Sequence, residues 1–302
     1  MAYRDKKSSK VKGVLLVWLI RLTYFLPRSV SYGLNRLAGT LNQFFNGKAT
    51  RVMRRNLELC FPQLDENQIN RKLASHLRQN ARLTYEFASA WLGDKAVIQQ
   101  RLLSVNGGAL INRAVEHQQP VIVAVPHLGN WEYFWHWLQF NYPLVGMYQP
   151  SKFSGVDELV LAARSRFGGE LFATDAKGIL GLMRSLKQGK VMMILPDQAP
   201  RQGAGIYSPF YGQSAYTMTL LHRFIEKTGA QLVFGACLRA REGDGFHIHV
   251  EAPQFETRDQ TLESFNQSMN LQIESLINQW PEQYQWSYKR FKRQPEGVNL
   301  YR

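Results

Sequence analysis

Short apolar runs alternate with helical patterns through most of the chain. The run at 120–126 (PVIVAVP) is rich in β-branched residues, as expected of a strand buried on both faces. Further strands are predicted at 144–148, 171–173, 191–195, 231–239 and 246–251, and helices at 109–116, 131–140, 156–166, 178–187, 217–228 and 262–280. The turn at 242–245 (EGDG) predicts a hairpin between the last two strands. Alternation of this kind predicts an α/β fold with a mixed sheet flanked by helices.

The N-terminal pattern is different. Positions 14–26 (VLLVWLIRLTYFL) are apolar except for Arg21 and Thr23, and this run is shorter than the roughly 20 residues that a membrane-spanning helix needs. The sequence around Leu26 is not the small-residue site at which a secretory signal is cleaved. Pro27 is expected to end the helix.

Beyond Pro27, apolar residues recur at helical spacing as far as Phe45, with Arg28, Arg36 and Lys48 among the polar positions. This is the pattern of a basic amphipathic helix lying in a lipid interface. An ordinary surface helix packed on the domain is the alternative, because an amphipathic pattern fits both. The charge beside it favours lipid.

The net charge of +14 is concentrated at the two ends of the 302-residue chain. Residues 1–55 hold twelve Lys and Arg against one acid, and residues 289–302 hold five against one, so the remainder is close to neutral. A nucleic-acid-binding protein usually adds a groove-reading motif or a basic and aromatic stripe on its folded domain. The sequence contains neither, so no nucleic acid is expected as a partner.

Composition and cysteine spacing narrow the class of protein. The chain is 45% hydrophobic and 20% charged, which is typical of globular proteins and excludes disordered, collagen-like and polytopic membrane chains. Cys60 and Cys237 are far apart and belong to no CxxC motif, which argues against a disulfide framework and a thiolate zinc site. His247 and His249 share one strand face but have no third ligand nearby, so no metal is predicted.

The loop after the first long strand carries candidate chemistry. His127 follows the strand directly, and Glu132 lies in the first turn of the next helix. Gly129 permits a tight turn and Asn130 is a natural N-cap, so the two side chains can fold back towards each other. A histidine held by a carboxylate is the base half of a catalytic triad, although a structural His–Glu pair would look the same. Since no GxSxG motif supplies a nucleophile, a substrate hydroxyl is expected to attack directly.

Four blocks in chain order resemble the bacterial lipid A biosynthesis (late) acyltransferases, a branch of the lysophospholipid acyltransferase superfamily. They are 51–62 (RVMRRNLELCFP), 126–132 (PHLGNWE), 195–212 (LPDQAPRQGAGIYSPFYG) and 283–292 (QYQWSYKRFK). The second block contains the superfamily's His-x-x-x-x-Asp/Glu motif. Gln149 is a departure, because many relatives carry Arg at that position. The HLGNWE form also occurs in relatives that acylate other glycolipids.

The resemblance implies transfer of a fatty acyl group from a thioester, usually on acyl carrier protein, to a hydroxyl of a lipid A precursor. His127 would remove the proton from that hydroxyl, and Glu132 would orient His127. The chemistry requires neither a metal nor another cofactor. Because acyl carrier protein is cytosolic, the enzyme should lie on the cytoplasmic face of the inner membrane, with a monotopic or single-pass anchor.

Five further residues are predicted to bind substrate. Arg164 matches an arginine common in the family and is assigned to a lipid phosphate or the oxyanion. Asp197 and Gln198 follow a strand, in a loop rich in Pro and Gly that could close over the site. Arg201 could meet phosphate, and Asn130 lies inside the motif. Each also has an ordinary structural explanation, as a solvated arginine, a turn residue or a helix cap.

The sequence thus predicts two regions, a membrane anchor at 1–48 and a single catalytic acyltransferase domain at 49–302. Two alternatives stay open at this point. One is an acyltransferase for another glycolipid or lysophospholipid acceptor. The other is a basic protein without catalytic activity that binds membranes or nucleic acids through its first 55 residues.

Overall fold

The computed structural model describes residues 2–45, 47–150, 153–241 and 244–301. Two helices come first, α1 (Ala2–Phe25) and α2 (Arg28–Phe44), and Pro27 is the N-cap residue of α2. The predicted break at Pro27 is confirmed. Proline ends α1 because it lacks an N–H and its ring clashes with the preceding turn.

Three more helices precede the sheet: α3 (Lys48–Cys60), α4 (Glu66–Leu92) and α5 (Lys95–Gln100). A capping box starts α4. The Asp65 carboxylate accepts from the Gln68 backbone N–H, and the Gln68 side chain accepts from the Asp65 backbone N–H. Ile69 and Leu73 on its apolar stripe are buried in the core.

Strands and helices then alternate. The first part of this region contains β1 (Leu102–Asn106), α6 (Ala109–Glu116), β2 (Val121–Ala124), α7 (Trp131–Asn141), β3 (Leu144–Tyr148), α8 (Ser154–Ser165), β4 (Glu170–Ala173), α9 (Ala176–Lys187) and β5 (Val191–Ile194). The second part contains β6 (Gly205–Phe210), β7 (Gln213–Met218), α10 (Leu220–Thr228), β8 (Gln231–Arg239), β9 (Phe246–Glu251), α11 (Leu262–Gln279) and a 3₁₀ turn (Pro281–Gln283).

Seven strands form one sheet in the order β1-β9-β8-β2-β5-β3-β4. The pairs are parallel except for β8 and β9, which are antiparallel. The predicted mixed sheet flanked by helices is therefore confirmed. Because β2 lies between the parallel strands β8 and β5, the carboxyl ends of all three strands meet at one edge of the sheet. Ligands of open α/β sheets bind at that edge.

Two features differ from the sequence prediction. The edge strand β1 was not predicted, and a second, antiparallel sheet of β6 and β7 occupies much of the region expected to be a loop. Strand β7 runs to Met218, so α10 begins at Leu220 and not at 217. Antiparallel pairing of β8 with β9 confirms the hairpin, although Glu242 and Gly243 of its turn lie outside the described residues.

The two faces of the sheet bury different helices. Side chains of β2 alternate: Ile122 and Ala124 join the core formed with α3, α9, α10 and α11, whereas Val121 and Val123 join the core formed with α6 and α7. This alternation follows from the two-residue period of a strand. All four residues of β2 are buried, which explains its continuous apolar sequence.

Helices α1 and α2, called the N-terminal helices below, both contact α4 and carry many exposed apolar side chains. They are Val11, Val14, Leu15, Leu16, Trp18, Leu19, Leu22 and Phe25 on α1, and Val30, Leu34, Leu37, Leu41 and Phe44 on α2. Arg28 at the start of α2 forms an ion pair with Asp244, whose carboxylate also binds Arg101 Nη2 at 2.7 Å. Within the described ranges, no helix is long and apolar enough to cross a membrane.

Candidate active site

The loop from Pro126 to Asn130 is held by backbone hydrogen bonds from two sides. The N–H of Asn130 donates to the carbonyl of Cys237 at the end of β8, at 2.7 Å. From the other side, Gln285 N–H donates to the His127 carbonyl, and Gly129 N–H donates to the Gln283 carbonyl, both at 3.0 Å. The loop that carries His127 is thereby fixed between the sheet and the segment that follows α11.

Gly129 is required at its position for two reasons. Its φ of +68° lies in the left-handed region that favours glycine. In addition, a Cβ atom at this position would lie 2.0 Å from the Cys237 carbonyl oxygen. The close approach of this loop to β8 therefore depends on the absence of a side chain.

His127 is held by Asp197, which follows β5. The Asp197 Oδ1 lies 2.8 Å from His127 Nδ1, and Oδ2 accepts the His127 backbone N–H at 3.0 Å. One carboxylate thus fixes both the ring and the peptide of the histidine. The contact forms because β2 and β5 are adjacent and parallel, so the loops after them meet.

The protonation pattern of the imidazole follows from its partners. An ionised carboxylate only accepts hydrogen bonds, so Nδ1 carries the proton and Nε2 has a free lone pair. The Gln198 side-chain amide, with Nε2 to Nε2 at 3.1 Å, donates to this lone pair, and it also donates to Gln285 Oε1 at 2.9 Å. His127 is therefore in the tautomer that accepts a proton at Nε2.

The charge of Asp197 is stabilised inside the protein. Burial of the carboxyl raises its pKa, but the neighbouring His127 and the hydrogen bonds from its ring and backbone more than offset this, so the pKa of Asp197 is lowered overall. Its side chain is 2% exposed and that of His127 is 14% exposed. The Trp131 ring lies edge-on to the imidazole, 4.7 Å between centroids. The site thus has a buried anionic end and a partly open histidine.

The expectation that Glu132 orients His127 is wrong in its geometry. Both carboxylate oxygens of Glu132 accept from Arg164: Oε2 from Nε at 3.0 Å and Oε1 from Nη2 at 2.5 Å. In the structure, Asp197 binds Nδ1 of His127, and Glu132 pairs with Arg164 in the last turn of α8. The helical turn after Asn130 directs the glutamate towards α8, so the pair is a bidentate buried ion pair.

This ion pair shifts the pKa of both Glu132 and Arg164. Burial raises the pKa of Glu132, but Arg164 outweighs it and the pKa is lowered overall. For Arg164, burial lowers the pKa, and Glu132 outweighs this, so the pKa is raised overall. Both groups are therefore charged. Arg164 is neither a solvated arginine nor directed at a phosphate in this structure, since its guanidinium is occupied by Glu132.

The other predicted substrate-binding residues have different positions. Asn130 is fully buried and caps α7, because its Oδ1 accepts from the N–H groups of Glu132 and Tyr133 at 3.2 Å. That capping role replaces the predicted substrate contact. Gln198 lies directly on His127, whereas Arg201 is exposed in the loop before β6. The structure thus joins His127, Asp197 and Gln198 into one site and leaves Arg201 outside their contacts.

Sequence reasoning missed Gln285 and misjudged Asp197. The available signal for Asp197 was its place directly after a buried strand, the same signal that selected His127. Gln285 does not follow a strand, and the available signal was its place in the fourth family block, 283–292; the fold of the C-terminal region brings it to the site.

The cysteines and histidines elsewhere are accounted for by structural contacts. Both cysteines are buried, and burial raises the pKa of each thiol, so neither is an activated thiolate. His247 Nδ1 lies 2.8 Å from the Ser104 hydroxyl, and His249 Nε2 lies 2.9 Å from the Glu251 carboxylate. Among the described residues, no group of three or more His, Cys, Asp and Glu side chains is arranged to hold a metal ion.

Comparison with known proteins identifies the family. The family model "Bacterial lipid A biosynthesis acyltransferase" matches residues 4–293 of the chain. The chain belongs to the bacterial lipid A biosynthesis acyltransferase family. The match extends from the N-terminal helices to the segment that contacts His127. His127 and Asp197 are therefore a pair of side chains inside an acyltransferase of this family.

Three relatives from Escherichia coli (strain K12) illustrate the relationship. Lipid A biosynthesis lauroyltransferase is 26% identical, over 95% of this chain and 92% of the relative. Lipid A biosynthesis palmitoleoyltransferase is 24% identical, over 94% and 90%. Lipid A biosynthesis myristoyltransferase is 25% identical, over 89% and 82%. Their names specify three different acyl groups, so the similarity carries the reaction class and not the acyl chain.

Proposed function

We propose that this acyltransferase moves a fatty acyl chain from an acyl carrier protein thioester to a hydroxyl of a lipid A precursor, as a late secondary acylation. The observation that carries the proposal is the His127–Asp197 pair, which leaves the histidine with a proton-accepting Nε2 at the carboxyl edge of the sheet. Family membership supplies the reaction class.

The reaction would proceed by direct attack. His127 Nε2 accepts the proton of the acceptor hydroxyl as its oxygen attacks the thioester carbonyl. The C–O bond forms, the C–S bond breaks, and the imidazolium returns the proton to the leaving thiolate. General-base assistance of this kind is worth about 10²–10⁴-fold in rate. The acceptor hydroxyl would take the place of the Gln198 amide at Nε2.

The two carboxylates would have separate roles. Asp197 stabilises the imidazolium and holds the proton on Nδ1. Glu132, through its ion pair with Arg164, ties α7 to α8 and positions the loop that carries His127. We therefore keep His127 as the catalytic base and transfer the orienting role from Glu132 to Asp197.

The N-terminal helices would place the enzyme on the cytoplasmic face of the inner membrane. Leu15, Leu19 and Leu22 are each more than half exposed and follow one another at helical spacing on α1. Such a face is stabilised when it is buried in an apolar medium, and basic residues near it are attracted to anionic lipid. Region 1–48 would be an interfacial anchor, and 49–302 the catalytic domain.

The activity is tested with the purified full-length chain. Acyl carrier protein thioesters and, separately, coenzyme A thioesters are incubated with tetra- and penta-acylated lipid A precursors, with a lysophospholipid as the competing acceptor, and products are read by mass spectrometry. We expect acyl carrier protein and a lipid A precursor to be used, and His127→Ala to be inactive. Transfer to the lysophospholipid alone, or no transfer to any acceptor, would overturn the proposal.

The anchor is tested separately with vesicles of phosphatidylcholine and phosphatidylglycerol. Leu19→Gln together with Leu22→Gln should lower the vesicle-bound fraction by roughly tenfold or more, because two apolar side chains lose their burial in lipid. Leu271→Gln is the matched control, since Leu271 is equally exposed but lies on α11. Equal vesicle binding by the double variant and the control would reject the N-terminal helices as the anchor.

A further inference from the structure

A basic pocket lies between α3 and the C-terminal segment. It has a volume of about 380 Å³, and the charged side chains that line it are Lys48, Arg51, Arg54, Arg55, Lys289 and the single carboxylate Glu58. The five cations come from two chain regions more than 200 residues apart. The fold thus brings together the two basic ends of the sequence, which the linear charge pattern shows only as separate clusters.

Two of the guanidinium groups are held in place by nearby side chains and backbone. Arg54 donates to the Asn70 side chain on α4. Arg55 Nε donates to the Leu300 carbonyl at 2.8 Å, and its Nη1 lies 3.4 Å from Glu58. Among the described side chains that line the pocket, five are cationic and Glu58 is the carboxylate, so the lining has a positive excess. Fixed guanidinium groups lose little freedom on binding and present paired N–H donors that match phosphate oxygens.

The pocket is connected to the active site through a short segment. On the buried side of α3, Asn56 donates to the carbonyls of Trp286 and Tyr288, both at 2.7 Å. The Tyr288 hydroxyl accepts the N–H of Ala199 at 3.0 Å, next to Gln198. Lys289 of the pocket is therefore adjacent in sequence to a residue that braces the loop of the proposed catalytic site.

The pocket also follows the exposed C-terminal end of α2 in the chain. Phe44 and Phe45, at the end of α2, are 80% and 73% exposed and precede Lys48 by a few residues. If these rings enter the apolar part of a lipid surface, the start of α3 lies at the depth of the headgroups, where lipid phosphates are found. This step rests on the membrane docking proposed above, whereas the anion chemistry of the pocket does not.

We propose that this pocket binds the phosphate of an anionic lipid headgroup, with preference for a phosphomonoester. A monoester offers more charge and more free oxygens than a diester, and a concave site lined by five cations can use both. Binding there would hold a phosphate-bearing lipid beside the segment that contacts His127. The site is separate from Arg164, whose guanidinium is occupied by Glu132.

The first test uses soluble inorganic pyrophosphate and needs neither vesicles nor activity. Isothermal titration is performed on the full chain, on Lys48→Gln/Arg51→Gln, and on Arg113→Gln as a matched exposed control from α6 on the opposite face of the sheet. With each surface cation worth about fivefold in affinity, the double variant should bind roughly 30-fold more weakly. The control should bind like the unaltered chain. Absence of binding, or equal affinity in all three proteins, would overturn the phosphate site.

The second test identifies the source of the phosphate. Phosphatidylcholine vesicles containing phosphatidate are compared with vesicles containing the same fraction of phosphatidylglycerol, which is a diester. We expect the unaltered chain to prefer phosphatidate and Lys48→Gln/Arg51→Gln to lose that preference while keeping its apolar docking. Pyrophosphate binding without any phosphatidate preference would overturn the lipid source. If the unaltered chain binds pyrophosphate but neither kind of vesicle, that result overturns the lipid source and the N-terminal anchor together.

Discussion

The Asp197 carboxylate contacts His127 twice, through the ring and through the backbone N–H. This arrangement makes the orientation of the imidazole inseparable from the position of its own peptide. Asparagine cannot reproduce both contacts, because it has one accepting oxygen and one donating nitrogen. If its oxygen keeps the backbone N–H, its amide nitrogen faces Nδ1 and forces the ring proton onto Nε2.

We therefore expect Asp197→Asn to lower turnover about 10²–10⁴-fold, comparable to His127→Ala, through loss of the base tautomer and of the charge that stabilises imidazolium. Initial rates are measured together with thermal melts. Asp259→Asn is the matched control, because Asp259 is exposed and its positive φ suits asparagine. An Asp197→Asn protein that is fully active would contradict the assigned pairing.

The Glu132–Arg164 pair predicts a different kind of loss. Because the Glu132 side chain is only 2% exposed and that of Arg164 is 21% exposed, removing one partner leaves a buried charge uncompensated. Glu132→Gln and Arg164→Gln should each cost about 3–5 kcal/mol of unfolding free energy, and the double variant should cost clearly less than their sum. Denaturant unfolding measures all three.

Strict additivity of the two costs would show that the pair does not act as a unit. A stable, well-folded Glu132→Gln protein with the turnover of His127→Ala would return the orienting role to Glu132. These outcomes separate a positioning residue from a residue that acts in the proton transfer itself.

Among the elements, the loop from β2 to α7 has a strict backbone requirement at Gly129, where a positive φ coincides with a close approach to β8. Gly129→Ala should destabilise the chain by more than the roughly 1–2 kcal/mol expected for a left-handed alanine, because its Cβ would meet the Cys237 carbonyl. Gly212→Ala is the matched control, with φ of +72° and no heavy atom within 4 Å of the added Cβ. Urea unfolding compares the two. Equal costs would mean that the approach to β8 does not constrain the loop.

The sequence predicts the buried strands well but misses β1 and the pair β6 and β7. The buried strands β2, β3 and β5 have apolar runs of their own, and their ends agree with the prediction within two residues. The pair β6 and β7 has mixed burial, with many exposed and half-buried residues, so its composition resembled a loop. Strand β1 at the sheet edge is largely exposed for the same reason.

The partner of His127 was mispredicted for a topological reason. Glu132 is five residues away in the sequence, whereas Asp197 is seventy residues away and becomes a neighbour only because β5 is placed beside β2. Local spacing carries no information on the order of strands in a sheet. Spacing therefore identified the loop that carries His127, and long-range pairing determined which carboxylate contacts this histidine.

At the scale of the whole molecule, two buried histidines set the response to acid. His76 donates from Nδ1 to the Glu282 carbonyl, and His136 donates from Nε2 to the Ala90 carbonyl. Burial lowers the pKa of each from 6.5 to about 4. Both are therefore neutral in the folded chain at pH values where the unfolded chain protonates them.

The sign of the effect on stability follows directly. Between about pH 6.5 and pH 4 the unfolded chain binds more protons on these two residues than the folded chain does. The unfolding free energy therefore has its maximal contribution from them above pH 6.5 and decreases as the pH is lowered towards 4. Each histidine contributes a loss on the order of 3 kcal/mol over that range. Glu274 acts in the opposite direction, because burial raises its pKa. Asp197 and Glu132, with lowered pKa values, lose their stabilising contribution only at more acidic pH.

Urea unfolding of the full chain at a series of pH values from 7 to 4.5 measures this dependence. We expect the unfolding free energy to fall by several kcal/mol over this range. His76→Gln keeps a donor for the Glu282 carbonyl and should remove about half of that decrease, independently of how much the substitution destabilises the chain at pH 7. His117→Gln, at an exposed position, should leave the decrease unchanged. A His76→Gln protein with the same pH dependence as the unaltered chain would show that His76 is protonated equally in the folded and unfolded states.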